Sequence, residues 1–300
     1  MNYRKYIPHL FIVTLAIILT ISCANSYNGQ SDEKEKTTIQ KKSKEDYTIN
    51  NTWKMPEILN EVSGISWISE NTIACVEDED GIIFIYDLKK EKVIQEIAFA
   101  GGGDYEGIVI NDKDAYVMRS DGLIYEVLRF RESEPEITTF QTAFTARNNI
   151  ETLTLDAEKN SLVVTPKDRD QSDDFKGLYY ITLDAKMMNE KPLLRIDMND
   201  KAFKDYKKKK AYRTFSPSDV AIHPVTGDYY VLEGKNPKLA ILDSDGTVKK
   251  VYKLNKDDFA QPEGITFSPD GKLFISNEAR KDEATIVEVV FEIKKDSLVN

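Results

Sequence analysis

Acidic residues recur along this chain at the start of short apolar segments. Five of them are separated by intervals of 45, 45, 68 and 44 residues: Glu61, Glu106, Glu151, Asp219 and Glu263. Carboxylates that converge raise one another's pKa values, so a convergent set needs a proton, a counter-charge or a cation. Ca²⁺ suits such a set, because it accepts roughly six to eight oxygen ligands. The five acids are therefore the candidate metal ligands.

A sequence period in the mid-forties with short strands is typical of a β-propeller, in which each repeat forms one four-stranded blade. Asp80-Gly81 and Asp121-Gly122 separate strand-like segments within two of the repeats, and such pairs favour hairpin turns. The repeat count predicts an all-β propeller of five blades. Because the first strand of each blade lines the central channel, the five acids are expected near its mouth.

Two parts of the chain depart from the repeat. The third repeat is longer than its neighbours, with the surplus in residues 166–176 and 198–214. The second insertion contains Lys207–Lys210, for which a solvated loop or short helix is expected, and an anionic ligand or membrane contact is the alternative. Residues 47–55 read as a strand without a blade, and the last repeat lacks a fourth strand. This pattern predicts ring closure by the N-terminal strand, while a sixth, degenerate blade in residues 184–215 is the alternative.

The residues that close the second strands are expected on the same rim as the acids. They are the candidate ligand-binding residues: Glu77, Arg119, Lys167, Glu233, Asn277 and Glu278. Three interpretations of this rim remain open. The acids hold a Ca²⁺-like metal, or they bond to backbone amides and pair with Arg119 and Lys167, or they bind a cationic or polyol ligand directly.

Histidine and cysteine usage restricts the chemistry. Apart from His9 near the N-terminus, the only histidine is His223, in a turn before Pro224. A histidine-rich zinc site is therefore excluded, and a Ser-His-Asp triad would need a badly placed imidazole. Cys75 lies in an apolar strand and is expected to be a buried free thiol. Carboxylate chemistry and metal-activated water remain.

The N-terminal residues predict export and lipidation. Residues 1–22 combine two cations, an apolar stretch and a small residue before Cys23, which is the pattern of a lipoprotein signal peptide with Cys23 as the lipidated residue. An ordinary secretory signal is the alternative. Residues 23–46 are polar and predict a disordered tether, and residues 47–300 form the propeller domain. The formal net charge of −10 argues against a nucleic-acid binder. We expect a monomer in the bacterial cell envelope, attached to the membrane through its lipid.

Several of the repeated phrases resemble those of the SdiA-regulated (YjiK-like) β-propeller lipoprotein family. They are Glu61-Val62-Ser63-Gly64-Ile65, Tyr105-Glu106-Gly107-Ile108, Ser216-Pro217-Ser218-Asp219 and Gln261-Pro262-Glu263-Gly264-Ile265. The resemblance implies a bacterial envelope propeller, related more loosely to propellers that hold Ca²⁺ in their channel.

No activity of that family transfers to this chain. The favoured hypothesis is a protein that binds a divalent metal and a small ligand or envelope partner at its channel. A calcium-dependent hydrolase of phosphoesters or lactones and a non-catalytic interaction scaffold are the alternatives.

Overall fold

The protein is a five-bladed β-propeller, as the repeat count predicts. A computed structural model describes residues 46–292, so the proposed signal peptide, Cys23 and the tether up to residue 45 lie outside the described residues. The described part contains 21 strands, three short 3₁₀ helices and no α-helix. No helix among these residues has the length and hydropathy of a membrane span.

The first two blades are regular four-stranded antiparallel sheets. The chain enters through β1 (Tyr47–Lys54) and a 3₁₀ helix at Glu57–Leu59. Blade one contains β2 (Val62–Ser69), β3 (Thr72–Glu77), β4 (Ile82–Asp87) and β5 (Lys92–Ala98). Blade two contains β6 (Tyr105–Asn111), β7 (Asp114–Arg119), β8 (Leu123–Leu128) and β9 (Glu136–Gln141).

Blade three is the irregular one. It contains β10 (Thr154–Asp156), β11 (Ser161–Val164), β12 (Phe175–Thr182), β13 (Met187–Met188) and β14 (Leu194–Asp197). The long strand β12 pairs with both β13 and β14, so residues 184–197 complete this blade and do not begin a sixth one. The second insertion follows and includes 3₁₀ helices at Lys201–Phe203 and Ala211–Arg213.

The last two blades complete the ring. Blade four contains β15 (Asp219–Ile222), β16 (Tyr229–Glu233), β17 (Lys238–Leu242) and β18 (Val248–Lys253). Blade five contains β19 (Pro262–Phe267), β20 (Leu273–Asn277) and β21 (Thr285–Phe291). Its outer strand is β1, which pairs antiparallel with β21, so the predicted closure by the N-terminal strand is confirmed. Closure leaves no sheet without its fourth strand, which protects against edge-to-edge aggregation.

The core lies between the blades. The core consists of five clusters of buried apolar side chains, and each cluster joins two neighbouring blades. One of these clusters joins blade five to blade one. The first strands contact one another in a complete circle, from β2 through β6, β10, β15 and β19 back to β2. Cys75 is a buried free thiol, as expected. The fold therefore holds five inner strands around one axis, which is the arrangement that brings side chains of different blades together.

Candidate functional site

A one-residue bulge near the start of the first strand decides which side chains reach the axis. In blades one, two and five the strand pairing shifts across Ser63, Glu106 and Glu263. In blade three, Ile150 pairs with Pro166 and Thr154 with Val163, which leaves one extra residue on the first strand. Bulges redirect side chains and are common beside functional sites.

The extra residue of blade three is Glu151. The hydroxyl of Thr152 donates to the carbonyl of Thr165 at 3.1 Å and accepts from the Thr165 N–H at 2.7 Å, so these two residues lie opposite each other. In blade four the corresponding residue is Ser218, because Asp219 pairs with Leu232 as the residue after the bulge does elsewhere. The bulge positions therefore hold three glutamates and two serines.

This pattern corrects the assumption that all five predicted acids are equivalent. Glu61 lies two residues before the bulge position of blade one and is exposed. Asp219 lies one residue after that of blade four and is buried. The two bulge serines connect blades: the Ser63 hydroxyl donates to the carbonyl of Tyr105 at 2.6 Å, and that of Ser218 to the carbonyl of Pro262 at 3.1 Å.

Asp219 binds backbone amides instead of facing the other acids. Its Oδ1 accepts from the N–H groups of Val220 at 2.8 Å and Leu153 at 3.3 Å, and its Oδ2 accepts from the N–H of Ile265 at 2.8 Å. Burial raises the pKa of Asp219, and the three amides oppose that rise. The contacts join blades three, four and five, so the role of Asp219 is structural.

The three bulge glutamates share one cation. Glu106, Glu151, Lys167 and Glu263 form a group that we call the axial cluster. Lys167 extends from the loop after β11 and makes an ion pair with Glu151, whose side chain is 6 % exposed. Asn149 donates to the other oxygen of Glu151 at 2.9 Å. Although burial lowers it, the pKa of Lys167 is raised overall, because Glu151, Glu263 and Glu106 surround the ammonium.

The cluster holds more carboxylates than one lysine neutralises. Burial raises the pKa of Glu106 to about 10; Glu151, Asp104 and Glu263 add to the rise, and Lys167 opposes it. The pKa of Glu151 is raised to about 7, again by burial and against Lys167. Burial also raises the pKa of Glu263. The cluster therefore retains a proton on Glu106 at neutral pH.

The carboxylate of Glu263 lies against backbone. A Cβ atom on Gly234 would lie 2.8 Å from Glu263 Oε1 and 2.7 Å from the carbonyl oxygen of Pro262. Only glycine leaves room for that approach. The glycine thus lets blade four hold the acid of blade five in place.

A second acidic group lies between blades five and one. Asp78 has a pKa raised to about 6 by burial and by Glu61 and Glu77, and its Oδ1 is buried without a hydrogen-bond partner. Burial raises the pKa of Glu278 against Arg280, with Glu263 and Glu61 adding to the rise. These acids continue the negative charge of the axial cluster around the rim. Asp78 was not predicted from the sequence, although it lies within the acidic run 77–80.

The predicted ligand-binding residues have separate partners. Lys167 belongs to the axial cluster, whereas Arg119 pairs with Asp121 at 2.7 Å and so does not neutralise the five acids. Glu77 accepts the backbone N–H groups of residues 79 and 80. Asn277 donates to Thr285 at 3.2 Å and has a buried oxygen without a partner. Glu278 accepts from Gln261.

Glu233 forms a buried ion pair that the sequence did not reveal. It lies 2.5 Å from Lys238 Nζ, and both side chains are almost completely buried. The backbone N–H of Ser216 donates to Glu233 at 3.1 Å. Burial lowers the pKa of Lys238, Glu233 opposes this, and nearby Lys208 adds to the decrease. This pair anchors the rim of blade four.

A second buried lysine holds the loop that carries Lys167. Lys176 is fully buried, and its ammonium donates to the carbonyls of Lys167, at 2.7 Å, and Asp168. Burial lowers the pKa of Lys176 to about 8. The only sequence signal for this residue is a lysine at the start of an otherwise apolar strand. Lys176 fixes the backbone from which Lys167 reaches the axis.

Solved structures with a similar fold include two enzymes. The glutaminyl cyclase of Myxococcus xanthus aligns with 81 % of this chain and 95 % of its own, at 12 % identity and a TM-score of 0.57. The virginiamycin B lyase of Staphylococcus aureus aligns with 77 % of this chain and 68 % of its own, at 12 % identity and a TM-score of 0.44. At these identities the likeness concerns the fold alone.

No curated protein sequence matches the chain. A sequence model of the SdiA-regulated family matches residues 40–281, a range that includes blades one to four and every strand of blade five except β21. The chain belongs to the SdiA-regulated family.

Proposed function

We propose that this protein is a cell-envelope binding protein whose axial cluster takes up a divalent cation of the Ca²⁺ class. One observation carries the proposal: Glu151, which is buried, and Glu106 and Glu263, which are half-buried, come from three blades and surround a single lysine, Lys167. A divalent cation would supply the positive charge that the cluster lacks.

The side chains fit such a cation in kind. Carboxylate oxygens are the ligands that Ca²⁺ prefers, and Glu106, Glu151 and Glu263 would hold it. Within residues 46–292, no three acidic, histidine or cysteine side chains already stand close enough together to hold a metal. Binding would therefore compete with the Lys167 ammonium for Glu151 and displace the proton of Glu106.

Calcium titration calorimetry tests the proposal. We expect binding that is stronger at pH 8 than at pH 6, with proton release measured in buffers of different ionisation enthalpy. Glu106→Gln should weaken binding at least tenfold and reduce the proton release to the part that Glu151 contributes. The matched control is Glu96→Gln, since Glu96 is exposed on an outer strand. If Ca²⁺ at millimolar concentration produces no heat of binding and no rise in melting temperature, the cation site is excluded.

The envelope location rests on the N-terminal residues. We propose that Cys23 is lipidated and that the polar residues after it connect the propeller to the membrane. Metabolic labelling with a radioactive fatty acid should mark the protein, and Cys23→Ala should prevent both labelling and membrane fractionation. Labelling that persists in Cys23→Ala would contradict this assignment.

A hydrolase of phosphoesters or lactones is the second candidate. The feature that favours it is the unequal surroundings of two glutamates in one cluster, because Lys167 and Asn149 both bind Glu151. Unequal surroundings separate the pKa values of such a pair, here raised to about 10 for Glu106 and about 7 for Glu151, and divide the pair into acid and base. Turnover of a phosphoester or lactone that needs Ca²⁺ and disappears in Glu106→Gln would establish it. Absence of turnover across a broad panel, with Ca²⁺ binding intact, would leave the binding function. If both assays fail, an interaction scaffold is the better account.

A further inference from the structure

A basic cavity lies beside the axial cluster, between the second insertion and blade four. Its volume is about 680 Å³. Six cationic side chains line it, with only two carboxylates: Lys167, Lys208, Lys209, Lys210, Arg213 and Lys235 against Asp168 and Glu233. The chain as a whole has a formal net charge of −10, so this concentration of positive charge opposes the general charge of the protein.

The cavity's positive charge is not cancelled by its own acids. Glu233 is neutralised by the buried Lys238, 2.5 Å away. Within residues 46–292, Lys208, Lys209, Lys210, Arg213 and Lys235 make no ion pair at all. Like charges held close together without partners repel one another, and an anionic ligand relieves that repulsion.

The insertion that carries the lysines is anchored, so the cavity wall is not a free loop. Phe203 and Phe215 are fully buried, with ring centroids 5.2 Å apart. Tyr212, which lies between these two residues in the sequence, is also buried. The Arg213 Nε donates to the Tyr212 hydroxyl at 3.2 Å. The Lys208 N–H donates to Thr214 Oγ1 at 3.4 Å. These contacts fix the backbone of the lysine run.

The four consecutive lysines 207–210 do not all face the cavity. Lys207 Nζ donates to the carbonyl of Asn199 at 3.5 Å and does not line the cavity, whereas the next three lysines do. A second cavity of about 660 Å³ shares Lys208 and Asn236 with the first and adds Lys253 and Lys256. Positive charge therefore extends continuously along this face of the propeller.

We propose that the basic cavity binds a phosphorylated sugar or polyol, recognised through a phosphate group that lies next to hydroxyl groups. Lysine ammonium groups and one arginine are the side chains that bind phosphate oxygens. Asn149, Asn236 and Ser216 also line the cavity, and their amides and hydroxyl suit the hydroxyl groups of a polyol. The same chemistry is offered by a soluble sugar phosphate and by the head group of a phospholipid. The cavity shares Lys167 with the axial cluster, but its other five cationic side chains lie outside that cluster, so we expect phosphate binding without Ca²⁺.

Binding assays with the protein in EDTA separate the two sites and the two sources of ligand. The probes are glucose 6-phosphate, with glucose as the uncharged control, and vesicles of phosphatidylglycerol compared with phosphatidylcholine. We expect saturable binding that weakens with salt. A triple Lys208→Gln, Lys209→Gln, Lys210→Gln variant should lose at least tenfold in affinity. Binding to glucose 6-phosphate identifies a soluble ligand, and binding to phosphatidylglycerol alone identifies a head group.

Two control variants make the test specific. Lys207→Gln removes the neighbouring lysine outside the cavity and should leave affinity unchanged. A triple Lys92→Gln, Lys113→Gln, Lys191→Gln variant changes the net charge equally at exposed positions that do not line the cavity. Equal losses in the two triple variants, or no binding of either probe by the unmodified protein, would overturn the proposal. A melting temperature within a few degrees of the unmodified protein confirms that each variant is folded.

Discussion

The carboxylate of Asp219, on the first strand of blade four, accepts a 2.8 Å hydrogen bond from the backbone N–H of Ile265 on the first strand of blade five. In blades one, two and five the residue at this position is glycine, and neighbouring inner strands approach it closely: a Cβ on Gly64 would lie 3.0 Å from the Cα of Gly107. Asp219 replaces that close approach with hydrogen bonds to the first strands of the two neighbouring blades.

We predict that Asp219→Gly is strongly destabilising. The substitution restores the residue found in blades one, two and five, but it leaves the N–H groups of Leu153 and Ile265 buried without acceptors. Each such group costs about 1–3 kcal/mol, so the free energy of unfolding should fall by about 3 kcal/mol. Urea denaturation measures the change. Asp219→Asn keeps one acceptor and should lose less, and equal stability of Asp219→Gly would contradict the bridging role.

Glu106 should make stability depend on pH. Its pKa rises from 4.5 to about 10 on folding, so above pH 5 the folded protein holds a proton that the unfolded chain has lost. Stability should therefore decrease as pH rises, with a limiting slope of about 1.4 kcal/mol per pH unit from this group. Between pH 7 and 8 the contributions of Glu151 and Lys176 have opposite signs and largely cancel, because the raised pKa of Glu151 lies at about 7 and the lowered pKa of Lys176 lies at about 8.

The comparison with Glu106→Gln isolates that contribution. The amide is neutral at every pH, so the free energy of unfolding of the variant should increase relative to that of the unmodified protein as pH rises. Free energies of unfolding at several pH values between 6 and 9, without Ca²⁺, provide the measurement. Parallel curves for the two proteins would show that Glu106 is ionised in the folded state.

The buried pair of Glu233 and Lys238 should respond differently to single and double substitution. Lys238→Met leaves the Glu233 charge buried without its partner, at an expected cost of about 3–5 kcal/mol. A Lys238→Met, Glu233→Leu double variant removes both charges and should recover most of that loss. Melting temperatures and urea curves give both values. If the double variant is no better than Lys238→Met, packing rather than charge explains the effect.

Lys176 should control the order of the loop that presents Lys167. Lys176→Met keeps most of the side-chain volume but removes the donor for the carbonyls of Lys167 and Asp168, at a cost of about 2 kcal/mol. Hydrogen exchange of amides 167–170 should accelerate, while exchange in blade one stays unchanged. The exposed Lys113→Met is the control. Unchanged exchange in the loop would show that Lys176 does not hold it.

The strands were predictable because each repeat alternates apolar segments with Asp-Gly and similar turns. The structure places β11 at Ser161–Val164 and β21 at Thr285–Phe291, the ranges that the sequence pattern gives. Ring closure was predictable as well. Residues 47–55 read as a strand without a blade and the last repeat lacked a fourth strand, so the first could complete the second.

The site was less predictable, because the repeated phrases do not show the bulge. A bulge moves the inward-facing position by one residue without a change in composition. For this reason Ser63 and Ser218 hold the positions that Glu61 and Asp219 were expected to hold. The buried cations were missed for another reason: Lys238 and Lys176 stand at the ends of apolar strands, where a lysine normally reaches solvent.

Closure by β1 has a consequence for how this protein matures. Asn51 of β1 lies opposite Glu288 of β21, 237 positions later in the chain, and the two side chains are hydrogen-bonded at 2.7 Å. The ring can close only when β1, the first strand of the propeller, pairs with β21, the last one. Contacts between residues this distant in sequence form slowly. A chain in which β1 has not yet paired with β21 would therefore expose the flank of blade five to proteases and to other unfinished copies.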